Sequence, residues 1–275
     1  MEQSKNKIYK YFNNFIMAIL AVLFTFPLYW IITGSFKTAK VINARIPQWF
    51  CTDPVWDNYI KLFNNPAWEW LYNSVFIAIF AMLITCITAS MAGYALAKKR
   101  FFGRKTLFTL LVCAMALPKQ VILIPLLKLV SFLGIHDTLW AVILPSAAWP
   151  FGVFLLKQFS EGIPGEMLEA ARIDGANETR TFLTIVLPMI KAGIGALAIF
   201  TFISVWNDYF LQLIMLFSRT KLTVSLGIAT LQAELSNDFG LIMAGATLGS
   251  IPIISVFLVF QKYFTKGITM GAVKG

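Results

Sequence analysis

Six stretches of this chain are long, apolar and almost free of charge, and nothing else in the sequence limits its fold as strongly. No Lys, Arg, Asp or Glu lies between Lys10 and Lys37, nor between Glu69 and Lys98. Lipid cannot satisfy an exposed backbone N–H or C=O, so such runs cross a bilayer as helices of roughly 20 residues. The pattern predicts an all-α polytopic membrane protein with six transmembrane helices, at about 15–34, 72–97, 107–130, 138–156, 192–210 and 239–261. The third run contains Pro118, Lys119 and Pro125, and the fourth Pro145 and Pro150. Segment 1–14 precedes the first span and a tail, 263–275, follows the last.

Composition agrees. Only 13% of the 275 residues are charged and 58% are hydrophobic, whereas a soluble domain carries about 25% charge. The net charge of +10 suits membrane topology and anionic headgroups better than nucleic acid, because no dense basic patch sits on a soluble domain. Cys51, Cys86 and Cys113 are widely spaced and form no disulfide or metal pattern, and His136 is the sole histidine. No metal site is expected.

Lys and Arg mark the cytoplasmic side of a membrane protein. With six spans, both termini share a side with the second-to-third and fourth-to-fifth loops. Fifteen basic residues fall there, including Lys98, Lys99, Arg100, Arg104 and Lys105, against seven on the other side. Both termini are therefore expected in the cytoplasm. The first run is too long for a signal-peptide core and lacks a small-residue cleavage site, so it reads as an uncleaved span.

The segment 162–188 is too polar to cross. Pro164 suits a first helical turn, Glu166 and Glu169 favour the helix N-terminal half, and Gly175 is placed to end it. Met167, Leu168 and Ala171 give that helix an apolar face, and Ala170 and Ala171 allow close docking. A second helix is expected over Glu178–Leu187, with Phe182, Ile185 and Val186 on one side, stopping at Pro188. By amphipathicity alone, the first helix is equally an ordinary surface helix or a docking element.

These residues carry a family signature. Glu169-Ala170-Ala171, then Gly175, Ile185 and Leu187-Pro188 at the family spacing, resemble the EAA loop of binding-protein-dependent importer permeases. Asp174 and Ala176 extend the match to the form typical of carbohydrate permeases of the MalG type. Asn58-Tyr59, Asn73-Ser74, Ala92 to Ala97, Leu117-Pro118, Trp206-Asn207-Asp208 and the ending through Lys266, Gly271, Lys274 and Gly275 resemble the same group. The resemblance implies a type I ABC importer permease fold: half of a translocation path, paired with a homologous second permease. It also implies two cytoplasmic ATPase subunits that bind ATP and Mg, and an extracytoplasmic sugar-binding protein. Glu169, Ala170, Ala171, Asp174, Gly175, Leu187 and Pro188 would couple to an ATPase, and the tail residues Lys266, Gly271, Lys274 and Gly275 would reach the ATPase dimer.

Within the spans, Lys119 is costly in lipid and either lines a pathway or binds carbonyls freed at the prolines. Trp206, Asn207, Asp208 and Tyr209 are substrate or gate candidates, since carboxylates and amides bind sugar hydroxyls and aromatic rings cover sugar faces. An interfacial belt with an interhelical hydrogen bond is the simpler reading of the cluster. Asn73 is a further gate candidate or a helix cap. Trp49, Trp56, Trp68 and Trp70 read as interfacial anchors and His136 as solvated. The chain contains no Gly-x4-Gly-Lys-Ser/Thr phosphate loop, the nearest run being Gly103-Arg104-Lys105-Thr106, so it is expected to be non-catalytic. An ion-coupled carrier would need intramembrane carboxylates, for which Asp208 is the candidate, and a membrane scaffold would use the 163–188 loop alone.

Overall fold

Apolar runs become helices throughout the computed structural model, which describes residues 2–234 and 238–272, with side chains over 9–234 and 238–261. The principal elements are α1 (Glu2–Ser35), α2 (Asp57–Phe63), α3 (Ala67–Lys98), α4 (Arg104–Met115), α5 (Leu123–Phe132) and α6 (Trp140–Ala147). They continue with α7 (Phe151–Glu161), α8 (Gly165–Ile173), α9 (Lys191–Trp206), α10 (Tyr209–Met215), α11 (Val224–Glu234) and α12 (Phe239–Ala272). Four helical stretches are long and apolar enough to cross a membrane, and six are if each of two bent pairs counts as one span.

The bends revise the expected spans. The third is not one helix: α4 and α5 meet at 101° across a break at Ala116–Pro118. Pro118 offers no N–H and pushes Leu117 out of the helical region, whereas Pro125 lies in the first turn of α5, where a missing N–H costs nothing. The fourth span runs over Trp140–Glu161, further toward the C-terminus than expected, with a break before Pro150. Its C-terminal end tolerates charge because the Lys157 ammonium pairs with Glu161 at 2.5 Å and lies 4.1 Å from the Phe108 ring. The fifth helix stops at Trp206, four residues early, because Asp208 caps α10 by accepting from the Leu211 N–H. The second starts earlier than expected, at Ala67. The expected tail is helical in backbone as far as Ala272. Lys266 and Gly271 lie in that stretch, while Lys274 and Gly275 fall outside the described residues.

Two compact units divide the chain. The first holds residues up to Trp68 and Gly227–Ile251. Its hub is Asn58, whose amide donates to the Ser35 and Lys37 carbonyls at 2.8 Å each. Tyr59 bonds Ser35 Oγ at 2.9 Å, and Lys61 pairs with Asp238 at 2.8 Å. The second unit holds Glu69–Leu226 and the chain from Pro252. Here α3 and α7 approach through small residues, as membrane helices do when no solvent drives them together. A Cβ on Gly93 would sit 2.8 Å from the backbone of Leu156 and Lys157.

Trp70 is no interfacial anchor. It is fully buried, and its indole N–H donates to the Arg219 carbonyl at 2.7 Å. Trp49, Trp56 and Trp68 are exposed.

Candidate functional site

The polar loop folds as two helical pieces on an apolar base. Tyr94, Ile163, Leu168, Val186 and Ile190 form that base, with Phe182, Ile185 and Leu187 packed against it. The Lys98 ammonium donates to the Glu161 and Ile163 carbonyls at 3.0 and 2.6 Å, tying α3 to the entry of α8. The exit of α8 is a Schellman turn. The Gly175 N–H donates to Arg172 O at 3.0 Å and the Ala176 N–H to Ala171 O at 2.9 Å. Gly175 sits at φ +77°, where a Cβ is strained, so glycine is the residue that lets α8 end this way. Asp174 is the C-cap, and two residues beyond Gly175 the Asn177 side chain caps the next helix through the Arg180 N–H at 2.8 Å. Glu178 bridges Lys99 and Arg172. The Lys99 hydrogen bond, against the opposing effect of burial and aided by the charges of Lys99 and Arg172, holds the Glu178 carboxyl below its usual range.

This geometry divides α8 differently from the sequence pattern. Leu168 and Ala171 are buried against the base. Met167 is 43% exposed and Ile173 86%, and both lie outward with Glu166, Glu169 and Ala170. Met167 therefore leaves the inner apolar face expected for it, and close approach from outside falls on Ala170 rather than Ala171. Nor does the second helix stop at Pro188. A π turn over Phe182–Val186 absorbs an extra residue, and Pro188 becomes an early position of the short Leu187–Met189 helix. There its missing N–H is tolerated. The break falls at Ile190 instead, with a 75° bend into α9.

A second polar locus lies in the apolar part of the second unit. Three interruptions of helix are near it: the turn after Pro118, the 148–150 break and the Asn207–Asp208 break. Lys119 Nζ stands 3.5 Å from Asp208 Oδ2, 3.5 Å from Ser204 Oγ and 4.6 Å from the centre of the Trp149 ring. Two neighbouring cavities are both lined by Lys119, Ser146, Trp149 and Asp208. Lys119 thus meets a partner and a cavity, rather than proline-freed carbonyls.

The other gate candidates make contacts of their own. Trp206 is buried and stacks on Phe202. The Asn207 amide donates to Ile203 O in its own helix at 2.9 Å, and Tyr209 packs edge-on to Phe210. Asn73 is not a helix cap: buried inside α3, its amide donates to the Thr220 and Leu222 carbonyls at 2.9 Å each.

Sequence reasoning missed Trp149 and Ser146, although the Trp149-Pro150 step in mid-span was a readable signal. It also missed Asp137. That carboxylate is buried and accepts from the Phe217 and Ser218 N–H groups at 3.0 and 3.1 Å, from the Ser218 hydroxyl and from Lys221 at 3.2 Å. Burial acts to raise its pKa, but these hydrogen bonds outweigh it and bring the group to about 2. His136 beside it contacts Ile214 O and the Phe217 ring rather than solvent alone.

Comparison with known proteins accords with this architecture. Residues 87–270 match the family described as binding-protein-dependent transport system inner membrane component. The chain is 33% identical to the arabinooligosaccharides transport system permease protein AraQ of Bacillus subtilis, over 98% of this chain and 97% of that one. It is 30% identical to the lactose transport system permease protein LacG of Rhizobium radiobacter, over 94% of each. Its fold resembles a chain of a bacterial ABC transporter that imports the acidic polysaccharide alginate, with TM-score 0.82, 22% identity and coverage of 94% and 98%. A further structure of a bacterial alginate ABC transporter, in complex with an alginate pentasaccharide-bound periplasmic protein, matches at TM-score 0.62 and 15% identity over 92% and 94%. The chain is a multi-pass, non-catalytic membrane permease and belongs to the family of inner membrane components of binding-protein-dependent transport systems.

Proposed function

We propose that this chain is one of two permease subunits of an ATP-driven sugar importer and that α8 is its coupling helix. The observation that carries this reading is the outward face of α8, where Met167, Ala170 and Ile173 are exposed beside Glu166 and Glu169 while the opposite face is anchored. An apolar strip with acids along one side fits a groove on a partner protein with a basic edge. A homologous second permease completes the path, and two cytoplasmic ATPase subunits bind ATP and Mg. An extracytoplasmic sugar-binding protein delivers the solute. Both termini lie in the cytoplasm, where Lys266, Gly271, Lys274 and Gly275 reach the ATPase dimer.

Force on α8 passes inward without slack. Lys98 ties the entry of α8 to the end of α3, and Leu168 and Ala171 pack on a base that includes Val186 and Ile190, next to α9. Closure of the ATPase dimer therefore moves α8, α3 and the start of α9 together, a rigid-element route to alternating access. Glu169 meets a basic residue of the ATPase, Ala170 admits its surface, and Asp174, Gly175, Leu187 and Pro188 fix the loop. The sugar class follows from the named relatives, which transport arabinooligosaccharides and lactose. Uptake of labelled arabinotriose, maltotriose or lactose into vesicles holding the full importer tests it. ATP dependence with ion gradients collapsed is the expected result. Dependence on a proton or sodium gradient contradicts it.

A further inference from the structure

We infer that Lys119, Ser146, Trp149 and Asp208 form a binding site at the helix breaks of this subunit for an uncharged sugar or polyol, a reading that rests on the sugar-importer assignment above. Four observations converge on it.

Irregular backbone at membrane depth persists where it is buried in protein or lines a cavity, and broken helices commonly frame transported solutes. Here the three residues with reactive side-chain chemistry each sit at a break: Lys119 just after Pro118, Trp149 inside the 148–150 break, and Asp208 after Asn207. Their positions place them on one pair of cavities.

The charges are paired but not used up. A closed Lys–Asp bond is near 2.8 Å, and this one is 3.5 Å, with the Lys119 side chain 38% exposed. Asp208 Oδ1 is held by the Leu211 N–H, which aims Oδ2 toward Lys119. A hydroxyl pair entering between them can donate to Oδ2 and accept from the ammonium, so both ions exchange one partner for another without being stranded.

Ser146 Oγ is buried with no hydrogen-bond partner, although it borders both cavities. An unmet buried hydroxyl is costly, and a ligand hydroxyl satisfies it. Trp149 adds a flat apolar face, already approached by the Lys119 ammonium, on which the C–H face of a sugar ring stacks. One positive and one negative group cancel. The site therefore suits a neutral polyhydroxyl ligand, whereas a uronate pairing with Lys119 would strand the Asp208 carboxylate without its counter-ion.

The test uses the full importer in vesicles. Arabinotriose carrying a diazirine is cross-linked to the unaltered complex, and labelled peptides are located by mass spectrometry. Uptake of arabinotriose, maltotriose, lactose and trigalacturonate is then measured for wild type, Trp149→Ala and Asp208→Asn. Labelling within 145–151 or at 208, with maximal neutral-sugar uptake lowered about tenfold or more in both variants, is expected. Labelling confined to the other permease, with neutral-sugar uptake unchanged in the variants, overturns the site while leaving the importer intact. Preference for trigalacturonate over all three neutral sugars overturns its charge logic. Wild-type uptake that proceeds without ATP contradicts the importer assignment instead, and is distinguished because it needs no variant.

Discussion

Gly175 and Asp137 both hold left-handed backbone, at φ +77° and +56°, for different reasons. Gly175 has open space where a Cβ would go, so the constraint there is conformational rather than steric. Gly175→Ala should loosen the Schellman turn by about 1 kcal/mol. Amide exchange at the end of α8 should quicken about fivefold, and unchanged exchange would show that the turn does not depend on glycine. Asp137 is different, because asparagine tolerates its backbone; Asp137→Asn therefore removes the charge and spares the conformation. The folded-state pKa, about 2, lies below the usual 3.8. Its stabilisation, roughly 2 kcal/mol, is present above pH 4 and is lost as pH falls toward 2. Wild-type thermal stability should fall through that window more steeply than that of the Asn variant, and parallel curves would contradict the clamp. Gly175 was legible from its position after a short amphipathic helix. Asp137 was not, because its partners at 217–221 lie some eighty residues away and nothing local announces them.

Among the elements, α3 is constrained along its length. Its N-terminal part is pinned by Trp70, Asn73 and Ser74 to the 219–224 segment, and its C-terminal half lies against α7 at Gly93. Asn73→Ala strands two buried carbonyls and should cost about 1–3 kcal/mol; a thermal melt in detergent measures it, and an unshifted melting temperature would mean water replaces the amide. Gly93→Ala should destabilise by about 1–3 kcal/mol, since the new methyl meets backbone rather than a movable side chain. Equal yield and melting temperature would show that α7 shifts freely. Hydropathy located every apolar run, because lipid leaves helix as the sole local solution. It did not reveal the bends. Pro118 and Pro150 were visible as breakers, yet a 101° turn and a π turn before Pro188 depend on what packs around them. The anchor reading of Trp70 and the cap reading of Asn73 failed for the same reason: a polar-tipped side chain near a span end shows no buried acceptor in the sequence.

For the molecule as a transporter, the loop signature was readable because one spacing encodes an amphipathic helix, its glycine stop and the return to the membrane. The division of α8 into an anchored face and an outward face emerged from packing alone. Truncation before Lys266 should lower ATPase assembly or turnover in the reconstituted complex, while full activity would make the tail incidental. The proposed coupling makes α8 the entry point of ATP-driven motion into this chain. The most direct test is ATP-dependent sugar uptake by vesicles carrying the complete importer with Glu169→Lys, alongside a protease or detergent-melt check that the bundle is inserted and folded. The account predicts a folded membrane subunit with uptake lost and ATPase binding or coupling impaired. Sugar-stimulated ATP hydrolysis and uptake at wild-type rates would contradict it.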